Sequence, residues 1–529
     1  MIDSLPPGTI LLLGGLLVPL LRGKLQSAFL LALPVLSFLH LLHFAGAPEP
    51  VLTELTFFGY TLHPVRIDRL SLVFGYVFHL AAFLGVVYAI HVRDRVQHVA
   101  AMIYVGSAVA ALYAGDLITF FVYWELTALG SVFLIWARRE ERSYRAGMRY
   151  LIIQVGSGVL LLAGTLFHFR DTGSLDFGHL GIGTLGTDLI FLAFGIKCAF
   201  PLLHNWLQDS YPEATVTGAV FLSAFTTKLA VYALARGFAG THMLIWVGAI
   251  MTAFPIFYAV IENDLRRVLA YSLNNQLGFM VVGIGIGTHL SLNGTAAHAF
   301  AHIIYKALLF MSMGAVLFRT GTIKGSELGG LYKSMPLTAI FCIVGAASIS
   351  AFPLTSGFIS KALILTAAAN GHHVVVWLVL VFASAGVFHH SGIKIPFFAF
   401  FSHDSGIRCK EAPLNMLLAM GASAALCLGI GIFPGLLYHL LPFDVDYHPY
   451  TTGHVLGQYQ LLLCAALAFT MLVRTGLYPK ETPSTNLDWD FFYRRALPAG
   501  IARLSAAGAW ARAGLLRAVD TGGDRAYGW

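Results

Sequence analysis

Apolar runs of about 20 residues follow one another along nearly the whole chain, each long enough to cross a hydrocarbon layer as a helix. Short polar stretches, many with Gly or Pro, separate them. The pattern predicts about fifteen spans, near 9–22, 27–46, 68–91, 98–114, 117–136, 147–168, 186–206, 213–237, 242–262, 266–288, 293–318, 336–370, 374–401, 413–441 and 455–475. The first is short. The twelfth is too long for one straight helix and contains Pro353. The expected fold class is an all-α polytopic membrane protein of about 14–15 transmembrane helices.

Composition agrees. Hydrophobic residues make up 57% of the chain and charged residues 11%, with a mean hydropathy of +0.75. A soluble domain carries about 25% charged residues, so most of this chain must avoid water. Five cysteines (Cys198, Cys342, Cys409, Cys427 and Cys464) are scattered with no CxxC pair, which points away from a metal site or a disulfide framework. No nucleotide loop, flavin motif or Fe–S cysteine set is present, so no cofactor and no metal are expected. The pI near 9.1 follows membrane topology and is not a nucleic-acid signal. The N-terminus has no charged n-region and no clear cleavage site, so no removable signal peptide is expected.

Charge then sets an orientation. With the N-terminus outside, the inside loops hold sixteen Lys/Arg against four outside (Arg66, Arg69, Arg170 and Arg236). An odd number of spans places the basic tail, 477–529, on the cytoplasmic side. Within it "AGIARLSAAGAWARAGLLRAV" reads as an amphipathic helix of about 24 residues. Ile501, Leu504, Trp510, Leu515 and Leu516 are expected on its apolar side, for the inner membrane face or a partner.

The candidate chemistry lies inside the spans. Lys197, Lys228, Lys306, Lys361 and Lys394 interrupt otherwise apolar segments, each at a cost of about 2.5–3.5 kcal/mol near the bilayer centre. Side chains that expensive are expected to face a wet protein interior as proton or ion relays. Snorkelling to the headgroup layer is the alternative, foremost for Lys228 and Lys394. The tetrapeptide AFPL occurs at 199–202 and again at 351–354, and its Pro201 and Pro353 predict two interrupted helices. Such breaks line polar cavities, and a pair of them points to a transporter built from repeats.

In "HAFAHIIYK", His298, His302 and Lys306 follow i, i+4, i+8 spacing and stack along one helical face. Imidazoles suit proton transfer; a zinc pair at i, i+4 lacks a third ligand of matching geometry. Glu125, the carboxylate in the middle of its span, is the expected acid partner of a lysine, as a switch or as structural glue. His389, His390 and Lys394 are secondary proton-path candidates.

Several motifs in order carry a resemblance over roughly residues 65–400: "YWELTALGSVFLIW", "GIKCAFPLLHNWLQDSYPEATVTGAVFLSAFTTKLAVYAL", "DLRRVLAYSLNNQLGFM", "HAFAHIIYKALLFMSMG" and "LGGLYKSMPLTAIFCIVGAASISAFPLTSGFISKALIL". The chain resembles the antiporter-like subunits shared by respiratory complex I and the Mrp multisubunit cation/proton antiporters, and the D-type Mrp component above all. The resemblance implies two inverted five-helix repeats, 98–237 and 238–403. Flanking helices occupy 1–97 and 404–476.

It implies that Glu125, Lys197, Lys228, His298, His302, Lys306 and Lys361 carry protons across the midplane. Asn274 and Asn275 depart from the family's usual small or hydroxyl residues, and His389, His390 and Lys394 have no counterpart in its general pattern.

The implied function is that of a proton-translocating subunit in a Na+/H+ antiporter of a bacterial cytoplasmic membrane. Its partners would be other membrane subunits and the bilayer, with protons and Na+ or K+ as cargo and no nucleic acid. Two alternatives stand beside it. One is the membrane arm of a complex I-like or hydrogenase-like redox enzyme, where a translocase activity would belong to the whole complex. The other is the proton-coupling subunit of an inorganic-carbon uptake complex.

Overall fold

The structure is a computed structural model that describes residues 5–45, 51–479, 482 and 486–526. It divides into two compact units, Met1–Pro483 and Ser484–Trp529. The first unit is all-α apart from two short hairpin pairings, Val51–Leu52 with Arg66–Ile67 and Leu55–Phe57 with Tyr60–Leu62. Its helices are α1 (Thr9–Leu17), α2 (Gly23–Ala45), α3 (Arg69–Ala89), α4 (Arg95–Leu112), α5 (Leu117–Trp136) and α6 (Glu141–Thr172). There follow α7 (Leu185–Lys197), α8 (Asn205–Ser210), α9 (Val216–Ala224), α10 (Thr226–Gly237), α11 (Met243–Ile261), α12 (Leu265–Ile286) and α13 (His289–Thr320). Next come α14 (Pro336–Ile349), α15 (Ser356–Asn370) and α16 (Val374–Val387), which runs on to Phe401 through π-helical turns. The unit closes with α17 (Lys394–Pro396) inside that run, then α18 (Leu414–Ile432), α19 (Gly435–Tyr438) and α20 (Thr452–Arg474).

Among the described residues, eleven helices are long and apolar enough to cross a membrane, and Thr9–Leu20 and Pro336–Ile349 are shorter apolar helices. The chain is an all-α polytopic membrane protein. Helices α9–α10 and α13 are enclosed almost completely, whereas α20 exposes most of its surface. Lys228, His298, His302 and Lys306 therefore sit on the most enclosed helices.

One order of elements occurs twice. Helices α4, α5 and α6 begin at Arg95, Leu117 and Glu141; α11, α12 and α13 each begin 148 residues later, at Met243, Leu265 and His289. Helices α6 and α13 both have 32 residues. Asp116 caps α5, accepting from the Thr119 amide at 2.7 Å, and Asp264 caps α12, accepting from Arg266 and Arg267. Each of these caps also bridges to a strand-like residue, Asp176 in the first case and Lys324 in the second, again 148 positions apart.

Both triplets lead into an interrupted helix. The expected span 186–206 stops at Lys197, and 336–370 is two helices, α14 and α15. In neither does the proline itself end the helix. Ala199 and Ala351 adopt left-handed backbone (φ 61° and 57°), so the helix closes before the proline. The Phe200 amide donates to Gly195 O at 3.0 Å and the Phe352 amide to Ala347 O at 3.0 Å. Ala199 and Ala351 donate to Ile196 O and Ser348 O, completing the paired bonds of a Schellman ending, usually built on glycine. Leu202 and Leu354 are left-handed as well (φ 71° and 72°), so the two tetrapeptides share one backbone shape.

In the second unit a π-helical turn, Phe492–Ala496, leads into α21 (Leu497–Ala526), 30 residues long. It is longer than the sequence suggests, and Trp510 does not join the apolar side. At 100° per residue it lies half a turn round from Ile501, which shares its stripe with Leu504 instead.

Candidate functional site

The end of α7 points Lys197 at α5. Its Nζ donates to Trp124 O at 2.6 Å and to Thr127 Oγ1 at 2.9 Å, and stands 4.0 Å from the centre of the Trp124 ring. The indole is itself pinned, Nε1 donating to Ser157 Oγ at 3.1 Å and that hydroxyl to Ala193 O. Glu125 is next in sequence to Trp124, yet among the described residues no ion pair within 4.0 Å joins it to Lys197. It lies instead against Gly158 of α6. A Cβ there would stand 1.4 Å from Glu125 Oε1, so a larger residue at 158 would displace the carboxylate from this position. By the 148-residue offset Gly158 corresponds to Lys306: the first triplet has a gap filled by a glutamate where the second has a lysine.

Lys228 lies one turn into α10. A discontinuity at Phe225 separates α9 from α10, and Lys228 Nζ donates back across it to Ser223 O at 2.5 Å. Lys361, on α15, reaches across the second AFPL break and donates to Ile349 O at 2.7 Å, 5.2 Å from the centre of the Phe279 ring. Ile349 ends α14, so its carbonyl is one of those a helix leaves without an internal partner. Lys197, Lys228 and Lys361 are thus bonded to backbone carbonyls, with one threonine hydroxyl, and to no carboxylate among the described residues.

Between them runs the α13 column. The rings of His298 and His302 are 6.2 Å apart, and Tyr305 stands 5.3 Å from His302. His298 is bonded on both nitrogens, to Ser360 Oγ at 3.0 Å and to Gln276 Oε1 at 3.2 Å. Tyr305 donates to the same Gln276 oxygen at 3.2 Å, and Gln276 Nε2 donates to Asn275 Oδ1 at 2.6 Å. Asn275 in turn donates to Thr252 O. His302 and Lys306, both fully buried, have no hydrogen-bond partner among the described residues, and neither does Asn274. Buried polar atoms without a protein partner call for internal water or a change of protonation, and these three lie together on the column and beside it.

Lys394 is anchored at the end of α11. Its Nζ donates to Val260 O at 2.7 Å and Glu262 O at 2.6 Å at the end of α11, where a helix presents its negative pole. His390 bonds Ser391, whose hydroxyl donates to Ser272 at 2.8 Å on α12. His389 faces the other way, packed on Phe469 and Tyr478. Both histidines sit in the π-helical turn Phe388–Ile393, a form that favours functional positions. The structure therefore brings together Lys228, His298, His302, Lys306 and Lys361, sets Lys197 with Glu125 beyond one end, and puts His390 within electrostatic reach of Lys394 on one side and of Lys306 and Lys361 on the other. Gln276, Ser360, Tyr305 and Thr127 escape sequence reasoning, because only tertiary packing places them on titratable groups.

Residues 114–386 match the family described as NADH:quinone oxidoreductase/Mrp antiporter, TM, slightly more than half of the chain. The chain belongs to this family. It is 33% identical over 310 residues to the D component of the Na(+)/H(+) antiporter of Alkalihalophilus pseudofirmus, covering 55% of this chain and 62% of that one. It is 31% identical over 288 residues to hydrogenase-4 component B of Escherichia coli, covering 49% and 43% respectively. This family member thus spans less than two thirds of the length of those relatives. The Mrp complex of Dietzia has a chain of the same fold, with TM-score 0.81 at 23% identity over 94% of this chain and 59% of that one. A chain of respiratory complex I from Thermus thermophilus gives TM-score 0.71 at 21% identity, covering 82% and 99%.

Proposed function

We propose that this chain is the proton-translocating subunit of a multisubunit monovalent cation/proton antiporter, similar to the D-type Mrp component. Other membrane subunits complete the complex. The observation that carries the reading is the set of enclosed lysines held on carbonyl oxygens at helix breaks, with an imidazole column between them. A carbonyl stabilises an ammonium without fixing it as a carboxylate would, so the proton can leave and return. His302 and Lys306, without fixed partners, accept and release protons as neighbours change charge.

Residues 98–237 and 238–403 act as two five-helix repeats. Because each holds an odd number of crossings, the second is inverted, and the two breaks face opposite sides of the membrane. The arginine-rich loops lie in the cytoplasm, so the N-terminus lies outside and the tail inside. A proton entering by one half passes Lys197 or Lys228, the His298/His302/Lys306 column and then Lys361. Glu125 biases Lys197 by its charge and acts on a neighbouring subunit in the same way. Moving one charge across the membrane potential is worth about 2.3 kcal/mol per 100 mV, enough to couple proton movement to cation movement.

A second reading is favoured by one observation. Identity to hydrogenase-4 component B (31%), and to the N component of the NADH-quinone oxidoreductase of Desulforudis audaxviator (34% over 268 residues), is close to the 33% to the antiporter component. In it the same axis serves a redox-driven pump. Inverted vesicles carrying the whole gene cluster, wild type against Lys197→Ala, separate the two. Cation-triggered proton exit that is lost in the variant supports antiport. Acidification that needs an electron donor and ignores cations supports the pump. Equal proton movement in variant and wild type, at equal assembly, overturns both.

A further inference from the structure

A proton axis at the midplane needs a wet route to each side, and a cavity lies at one end of α13. This cavity of about 280 Å³ opens between α3, α10 and α13, on the face away from the arginine-rich loops. Its rim carries Arg66, Asp68, His179 and Arg236; Leu292, Thr295 and Ala296 of α13 form its wall. Thr295 is one turn from His298. A wider cavity of about 870 Å³ shares Phe443 with it and opens beside Arg69, His439 and Asp444.

The rim is a built arrangement. Asp68 accepts from the Ser71 amide at 2.9 Å as the cap of α3 and from Arg236 Nη2 at 2.8 Å; Arg66 Nε lies 3.4 Å away. Arg236 Nε donates to Tyr232 Oη at 2.8 Å, and Tyr232 donates to Leu112 O. Lys228, Tyr232 and Arg236 are spaced i, i+4, i+8, so one face of α10 runs from the buried lysine out to the rim. The two helices that hold Lys228 and His298 thus converge on this one cavity.

We propose that this cavity is the outer mouth of the proton path, the place where water from outside reaches His298 along α13 and Lys228 along α10. The inference rests on the proton-translocating reading above. The Asp68–Arg236 pair is a positioning device: it fastens the end of α10 to the start of α3 and holds the mouth open. With two guanidinium groups against one carboxylate, the rim is net positive. It disfavours entry of metal cations while water chains remain free to carry protons.

The test uses the whole gene cluster with Cys409 and Cys464 replaced by serine. Ala296→Cys places a thiol on the deep wall and Leu292→Cys one nearer the opening. Each is treated with sulfonate-bearing and with ammonium-bearing methanethiosulfonate reagents, on intact cells for the outer face and on inverted vesicles for the inner. The expected result is reaction from the outer face only, several-fold faster with the anionic reagent, and at least tenfold loss of proton movement once modified. Reaction from the inner face alone, no reaction at either position, or modification with proton movement unchanged overturns the proposal. Lys197→Ala, run in parallel, reports on the underlying reading. If that variant abolishes proton movement and the thiols stay silent, only the mouth is wrong.

Discussion

Lys361 Nζ donates to the carbonyl of Ile349 at 2.7 Å, and Ile349 holds, in the second AFPL break, the place that Lys197 holds in the first. One lysine precedes its break and the other follows its own, but both end on carbonyl oxygens. The requirement is an amine that can lose its proton there. Arginine keeps the charge and the hydrogen bonds but does not deprotonate. Lys197→Arg and Lys361→Arg are therefore expected to assemble normally and to lose at least tenfold in proton movement, read by dye quenching in inverted vesicles.

Much of this could be read from the chain. The two AFPL tetrapeptides, the i, i+4, i+8 column on α13 and the apolar runs are local patterns, and local patterns survive folding. What escaped is long-range or sterically subtle. The α9–α10 discontinuity at Phe225 contains neither Pro nor Gly, so nothing in the sequence announces it. Gln276 meets His298 only because α12 packs on α13. Pro201 and Pro353 suggest where the helices end, but the left-handed Ala199 and Ala351 set the stopping point.

Those two alanines give a second prediction. A left-handed conformation costs a non-glycine residue about 1–2 kcal/mol. Ala199→Gly and Ala351→Gly are each expected to raise the melting midpoint of the purified complex. Ala199→Val and Ala351→Val should lower it, since a β-branched side chain tolerates this conformation least. Differential scanning fluorimetry in detergent checks both directions.

Outside the spans, Asp404 accepts from Lys333 Nζ at 2.7 Å and from both Arg408 amino groups. Hydrogen bonds from Arg408, then Lys333, hold its carboxyl well below the usual carboxylate range. A depressed folded value means the contribution to stability is complete above the unfolded value of about 4 and is lost as pH falls through the lower folded one. Asp404→Asn should therefore lower the melting midpoint equally at pH 7 and pH 5. The difference should shrink only in strong acid, in melts recorded across that range.

Gln276 joins His298 and Tyr305 on one oxygen. Gln276→Leu keeps the bulk and removes both that acceptor and the donor to Asn275, leaving His298, Tyr305 and Asn275 each short of a partner at about 1–3 kcal/mol apiece. If the bonds orient His298 for proton transfer, proton movement falls about tenfold or more while assembly on blue-native gels is retained. Gln276→Glu, which keeps the acceptor, is expected to recover part of the rate.

The contact between Glu125 and Gly158 yields the sharpest test of the first half of the path. A Cβ at position 158 would stand 1.4 Å from Oε1, so Gly158→Ala must push the carboxylate aside. Proton movement should then fall as it does in Glu125→Ala. The two changes act through one group, so they should not add: once Glu125 is alanine, the further change at 158 has nothing left to displace. A double-mutant cycle on initial rates measures this directly. Full additivity would mean that Gly158 matters for the packing of α6 on its neighbours and not for where the carboxylate sits. Loss in both single variants with no further loss in the double places the charge of Glu125, at that position, on the path through Lys197.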